Sequence, residues 1–372
     1  MVKLYGGSKH LVIALSEEFI VFTIIEEERN WEFHQLVKCK AQSLDSINVV
    51  IECCTFSPCG KYFAVSFDKN ILVYNTVDWN ILFVAPGERR ASCLKFFPKS
   101  NILLLANKSG SALFYSFDKD KLEKIGTSVG HNSMLINALI THDEKYVITC
   151  DRDEKIRITN YPNVYNIERF CLGHTEFVSC LGLLPGDKSI LVSCSGDGTI
   201  RFWDYMTGIQ IAEHNCKSNS NSEENKKPAI IKIVQCLVNS VSILAVFEYK
   251  SKNVRILEVS GNLGTGLSIK VVTILQLPSI PWDIIFFCQQ LVCLMPEQDR
   301  SVIVWSSVTK SVQDSSCFHS IENYISKHFH LILSANNKLS DEIPLLFKRE
   351  IDNLQEYEQR KKARLLRTGK TS

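Results

Sequence analysis

The chain has 372 residues, 45% of them hydrophobic and 22% charged, with a formal net charge of +2. No apolar run reaches the roughly 18 residues that a membrane-spanning helix needs, and Met1-Val2-Lys3-Leu4-Tyr5-Gly6-Gly7 lacks a signal-peptide core. The near-neutral balance argues against a protein that coats nucleic acid unaided, and the 14 cysteines read as reduced thiols of the cytosol or nucleus.

Apolar runs recur in pairs along the chain, separated by turn residues. Residues 11–15 and 19–23 form a first pair. In the second, Phe56-Ser57-Pro58-Cys59-Gly60 makes a turn and the pattern runs on to 71–74. A third covers 93–98 and 112–115. A fourth opens at Gly130-His131 and includes 146–159. The fifth, 173–204, is the most regular. Gly173-His174 opens it, Pro185-Gly186-Asp187 and Gly196-Asp197-Gly198 supply turns, and Trp203-Asp204 closes it. Residues 241–246 with 254–257 suggest a sixth unit, and 291–294 with 302–305 a seventh.

The fifth unit is a near-complete WD40 repeat. His174, Ser193, Asp197 and Trp203 sit where such repeats place a buried hydrogen-bond chain, because buried polar groups are tolerated only when paired. Aligned on this unit, the fourth places Asp153 on Asp197 and Arg157 on Arg201, with Thr159 in the Trp203 slot. At about 40–45 residues per blade, seven blades take about 300 residues. The expected fold is all-β, a seven-bladed WD40 propeller over 1–316, closed as one body. Residues 317–372 are a C-terminal segment: a last strand or loop, a helix and a basic tail. The helix is placed at 348–362 on the three-residue spacing of Ile351, Leu354 and Tyr357. Residues 218–228 are a polar loop between the fifth and sixth units.

Catalytic patterns are sparse. The glycine run Gly261-Asn262-Leu263-Gly264-Thr265-Gly266 lacks the strand-then-helix context of a phosphate loop and reads as a hairpin. Cys317, His319, His328 and His330 would converge on zinc if they alternated along paired strands. The Cys-x-x-Cys knuckle is missing, so no metal is expected. His174 with Asp197 resembles a catalytic pair, but in this repeat it reads as a structural tether. No catalytic residue and no cofactor is expected, so a partner decides what the propeller does. In Asp151-Arg152-Asp153-Glu154-Lys155-Ile156-Arg157, six of seven residues are charged. Strand alternation would put Lys155 and Arg157 on one face, either a solvated blade edge or a docking patch.

Asp151 to Arg157, followed by Cys171-Leu172-Gly173-His174-Thr175-Glu176-Phe177-Val178-Ser179, resembles the non-catalytic subunit of the eukaryotic tRNA (guanine-N7)-methyltransferase. This is the WD-repeat protein 4 family, called Wuho in insects. Val129-Gly130-His131-Asn132-Ser133-Met134-Leu135 is similar too, as is the tail Leu346-Phe347-Lys348-Arg349 with Asp352-Asn353 and Tyr357. The resemblance implies a nuclear heterodimer, with the cytoplasm as a second location. A separate catalytic subunit would hold S-adenosylmethionine and methylate a variable-loop guanosine. This chain would stabilise that enzyme and meet tRNA through the complex. A flap endonuclease is a further partner that the family implies. Arg152, Glu154, Lys155 and Arg157 would bind the partner, the basic ones facing its carboxylates. Arg360, Lys361, Lys362, Arg364 and Arg367 form a basic cluster open to RNA contact, nuclear import or plain solvation. The alternatives are a substrate receptor of a cullin-type ubiquitin ligase and a nuclease-binding genome-maintenance factor. Trp203-Asp204-Tyr205-Met206 lacks the arginine that many such receptors carry two places after the Asp.

Overall fold

The computed structural model describes residues 2–25, 30–39, 50–67, 69–118, 121–216, 229–287, 289–313, 316–338 and 341–347. These residues form seven antiparallel sheets, each made of four strands consecutive in sequence. The blades span 3–38, 51–86, 91–130, 135–171, 178–215, 230–276 and 283–313. The first strand of each blade is innermost. These inner strands neighbour one another around the ring, and Asp283–Phe287 returns to lie beside Lys3–Gly6.

The two middle strands of a blade are covered on both faces by adjacent blades. They therefore read as unbroken apolar runs rather than as alternation. Tyr62–Phe67 and Ile102–Asn107 are buried at every position after the first. Outer strands are largely solvated, as in Ile81–Pro86 and Lys121–Gly130. Between blades 3 and 4 the gap is filled by Leu104, Phe114, Val129, Ala138 and Val147. Between blades 4 and 5 it is filled by Ile148, Ile156, Leu191 and Trp203.

Ring closure joins blades 7 and 1, and among the described residues no strand is exchanged between them. Leu4 N–H donates to Asp283 Oδ2 at 2.8 Å. Leu11, Ile13, Val292 and Val304 share one core across the seam. Helix α1 (His319–Lys338) completes it, burying Ile321, Ile325 and Ile332 in that core. Tyr324 stacks on Phe33 at 4.5 Å, and Val2 N–H donates to Asn336 Oδ1 at 3.0 Å. The spacing of Ile321, Ile325, Phe329 and Ile332 is that of one helix face. The backbone kinks at His328 (φ −111°, ψ 17°), whose Nδ1 donates to the Tyr324 carbonyl at 2.9 Å.

This helix corrects the paired-strand geometry considered for Cys317, His319, His328 and His330. Cys317 lies in a 3₁₀ turn and the histidines lie on α1. His328 and His330 are two apart on a helix and so project to different sides. Among the described residues no three His, Cys, Asp or Glu side chains could hold a metal. The expected helix at 348–362 and the polar loop at 218–228 lie outside the described residues. A short helix, α2 (Ile343–Leu346), follows α1. There Glu342 accepts from Lys108 Nζ of blade 3 at 2.7 Å through both carboxylate oxygens. Leu346 and Phe347 pack with Phe177, Met134 and Ala229, where blades 4, 5 and 6 begin.

Removing the α1 side chains from the seam exposes apolar surface and opens a cavity. Ile325→Ala is expected to lower stability by about 2–5 kcal/mol. Leu331→Ala, on the solvated side of the same helix at 64% exposure, should stay within about 0.5 kcal/mol. Denaturant melts of the two variants check this, and equal effects would remove α1 from the closure.

Candidate partner-binding site

Blade 5 holds the expected buried chain. Trp203 Nε1 donates to Ser193 Oγ at 2.8 Å, and Ser193 Oγ lies 2.8 Å from His174 Nε2. His174 Nδ1 lies 2.9 Å from Asp197 Oδ2. One tautomer satisfies all of these bonds: Ser193 donates to Nε2, and Nδ1–H donates to the carboxylate. Asp197 also accepts from Thr175 N–H at 3.0 Å and from the Thr199 hydroxyl at 2.7 Å. Burial alone would raise the Asp197 carboxyl. The hydrogen bonds from His174, Thr199 and Thr175 overcome this and hold it well below the usual carboxylate range.

Blade 4 rebuilds the tether from other residues. His131 Nδ1 lies 3.0 Å from Asp151 Oδ2, and His131 Nε2 lies 2.8 Å from Thr149 Oγ1. Thr159, in the tryptophan slot, is buried with its hydroxyl unpartnered. The tether acid is thus Asp151, a correction to the alignment of Asp153 with Asp197. Asp153 stays in the turn, 3.8 Å from Arg152 Nε. Sequence alignment missed Asp151 because it occupies the register of Ser195. The side chain nonetheless reaches His131 and accepts from Lys155 N–H at 3.0 Å.

With Asp153 released from the tether, the turn carries charge outward. Arg152 and Lys155 are exposed, Asp153 and Glu154 are half-buried, and Asp151 and Arg157 are buried. Glu154 adopts φ +69°, the left-handed backbone that Gly198 (φ +80°) supplies in blade 5. Lys155 and Arg157 do not share a solvated face. The strand begins at Ile156, so Lys155 belongs to the turn and strand alternation does not govern it. Arg157 is 9% exposed, and its Nη1 donates to the Gly130 carbonyl at 2.8 Å. Its Nε has no partner. Burial pulls the guanidinium below its ordinary pKa, against the opposing charge of Asp151.

Arg201 and Arg255 hold the same strand position in blades 5 and 6. Arg201 bonds Gln210 and Thr199 and lies 3.3 Å from Glu213 Oε2. Arg255 donates to the Cys216 carbonyl at 3.0 Å and lies 3.4 Å from Glu248 Oε1. Among the described residues no carboxylate lies within 4.0 Å of the Arg157 guanidinium. Arg360, Lys361, Lys362, Arg364 and Arg367 lie outside the described residues. The glycine run at 261–266 is a hairpin turn in which Asn262 Oδ1 accepts from Gly264 and Thr265 N–H.

The family described as tRNA methyltransferase TRM82 WD40 domain matches residues 85–316, and the family described as WD domain, G-beta repeat matches 42–75. The tRNA (guanine-N(7)-)-methyltransferase non-catalytic subunit wdr4 of Xenopus laevis is 39% identical over 198 residues, covering 52% of this chain and 50% of the relative. The WDR4 protein of the same description from Homo sapiens is 37% identical over 225 residues, covering 59% and 53%. The chain thus spans about half the length of these two relatives. The wdr4 protein of Danio rerio is 32% identical over 319 residues, covering 83% of this chain and 76% of the relative. A chain of the solved structure titled Crystal Structure of Mitotic Checkpoint Complex shares the fold, with a TM-score of 0.63 at 13% identity over 84% of this chain and 85% of that one.

A depressed folded-state carboxyl contributes stability above its unfolded value of about 3.9, and that contribution is lost as pH falls below it. Asp197 and Asp151 are both held low. Asp197→Asn should therefore melt lower than wild type at pH 7 and lose less stability on acidification to pH ~3. Melting temperatures across that window test this. An acid slope identical to wild type would mean that Asp197 is not a stabilising carboxylate. Trp203→Ala, which empties a buried site, should cost roughly 3–5 kcal/mol.

Proposed function

The chain belongs to the tRNA methyltransferase TRM82 WD40 family, and we propose that it is the non-catalytic subunit of a tRNA (guanine-N7)-methyltransferase. It binds and stabilises a separate catalytic subunit, which carries S-adenosylmethionine and the chemistry. The product is N7-methylguanosine in tRNA, and the heterodimer works in the nucleus. The relatives, each described as a tRNA (guanine-N(7)-)-methyltransferase non-catalytic subunit, support this reading. The observation that carries it in this chain is Arg157, a buried cation that its own blade leaves without a carboxylate within 4.0 Å.

A buried guanidinium retains its charge, so an external carboxylate that reaches it gains a strong, bidentate partner. Arg152 and Lys155, exposed on the adjoining turn, attract the same acidic surface over a longer range. Glu154 sets the register by opposing misplaced acids. A rigid propeller can position an enzyme in this way without supplying a reacting group.

The chain alone is expected to show no methyl transfer, and the catalytic subunit should gain turnover or lifetime on its addition. A catalytic subunit fully active and stable without this chain would overturn the reading. Arg157→Leu should weaken assembly by about 2–5 kcal/mol, as for loss of one member of a buried charge pair. Lys155→Glu, at an exposed lip, should cost nearer 1 kcal/mol and act mainly on the association rate, by roughly the surface-pair scale. Melting of the isolated Arg157→Leu propeller separates the roles. A collapsed melt with assembly otherwise intact would make Arg157 a strut between blades 3 and 4.

A further inference from the structure

We propose that the catalytic partner seats an acidic, amphipathic segment in the groove between the outer edges of blades 3 and 4. Its carboxylate meets Arg157, and its apolar side chains pack on Ile125, Ile167 and Phe170. This rests on the reading of the chain as a non-catalytic subunit and adds the apolar half of the contact.

The ladder partners of the three equivalent arginines carry the argument. Arg201 stands opposite Glu213, which supplies its counter-charge. Arg157 stands opposite Phe170. Opposed residues on adjacent strands share a face, with Cβ atoms about 5 Å apart. Phe170 therefore borders the guanidinium at the position where blade 5 has an acid. Arg255 faces Ile274 but has Glu248 beside it. Blade 4 alone of these three sets an apolar ring opposite its arginine with no carboxylate within 4.0 Å, because Asp151, at the register of Glu248, is taken by His131 and the Lys155 N–H.

The face is fixed by the core. Val147 packs toward blade 3, and Thr159, its ladder partner, also pairs with Ile167. Cys171 packs toward blade 5, so Phe170, one residue before it, points the other way. Ile167 and Phe170 thus line the blade 3 side, at 47% and 41% exposure. The opposite wall is the outer strand of blade 3, where Ile125 packs partly into the shared core. Gly130, which ends that strand, anchors Arg157. The two outer strands thus bring Ile167 and Phe170 on one side, and Ile125 on the other, to a buried cation whose Nε–H has no partner.

Such a site selects its occupant. An apolar rim excludes water from the charge pair at its centre and strengthens it. A purely acidic strand would leave Phe170 and Ile167 wet, and a purely apolar one would leave Arg157 uncompensated. Exposed apolar residues alone do not mark the site. Ile81 and Val84 of blade 2 are also about half exposed, but their ladder partners Tyr74 and Leu72 offer no charge.

The test is binding of the purified full-length chain to the purified catalytic tRNA (guanine-N7)-methyltransferase subunit, read by titration calorimetry. The variants are Phe170→Asp and Ile167→Asp, with Ile209→Asp as control. Ile209 is 65% exposed on the outer strand of blade 5. Thermal melts qualify each variant as folded, and Ile167→Asp carries the test if Phe170→Asp does not fold. Wild type is expected to bind, the groove variants to lose about tenfold or more in Kd, and the control to match wild type. Groove variants that bind within about twofold of wild type, with wild type binding normally, overturn the groove and leave the subunit reading standing. Failure of the wild-type chain to bind overturns the subunit reading and the groove with it.

Discussion

A four-stranded sheet standing alone leaves both faces of its middle strands in water. Tyr62–Phe67, Ile102–Asn107 and their counterparts have no polar face to offer solvent, so each blade is stable only against two neighbours. That requirement has no end until the last blade meets the first. Here the meeting depends on Asp283 accepting from the backbone of Leu4, and on α1 lying across the seam with Ile321, Ile325 and Ile332 inside it. The stretch after residue 316, which the sequence reads as a last strand or loop, is thus a helix and part of the ring's core.

Within that ring, buried polar tethers fix the approach of the chain to blades 4 and 5. Blade 5 uses His174, Asp197, Ser193 and Trp203. Blade 4 keeps the histidine but draws its acid from Asp151 and replaces serine with Thr149. The substitution has a consequence at the surface. Because Asp151 takes the histidine, Asp153 remains in the turn with Arg152, Glu154 and Lys155. The altered tether of blade 4 therefore adjoins a turn with four charged residues in a row.

On the proposed reading, Arg157 links this architecture to function. It crosses from blade 4 to the Gly130 carbonyl of blade 3, as Arg255 crosses from blade 6 to the Cys216 carbonyl. The backbone bond is shared, but the close counter-charge is not: Glu213 and Glu248 lie 3.3 and 3.4 Å from Arg201 and Arg255, whereas Asp151 opposes Arg157 from farther off while bonded to His131. Burying a charge without its counter-ion is unfavourable for the free chain and favourable for any complex that supplies one. On the proposed reading, assembly with an acidic partner would relieve a local imbalance already built into the blade.

Much of the ring was legible in the sequence because its middle strands are buried on both sides and so stand out as apolar runs. The blade 5 tether was legible because His174, Ser193, Asp197 and Trp203 all keep their places. The resemblance at 151–157 and 171–179 pointed to the family for the same reason. Three things required the tertiary structure. Most outer strands mix polar and apolar residues, as in Lys121–Gly130 and Ile209–Asn215, and only pairing places them. Helix α1 has the apolar spacing of one helix face, but its histidines and the preceding Cys317 suggested paired strands until packing against Phe33 and Val2 decided it. Asp151 and Asp153 are equivalent acids to any pattern, and only the distance to His131 chooses between them. Composition and repeat chemistry thus determined what the chain folds into. Which charge lies buried, and beside which ring, was decided by contacts between residues far apart in sequence.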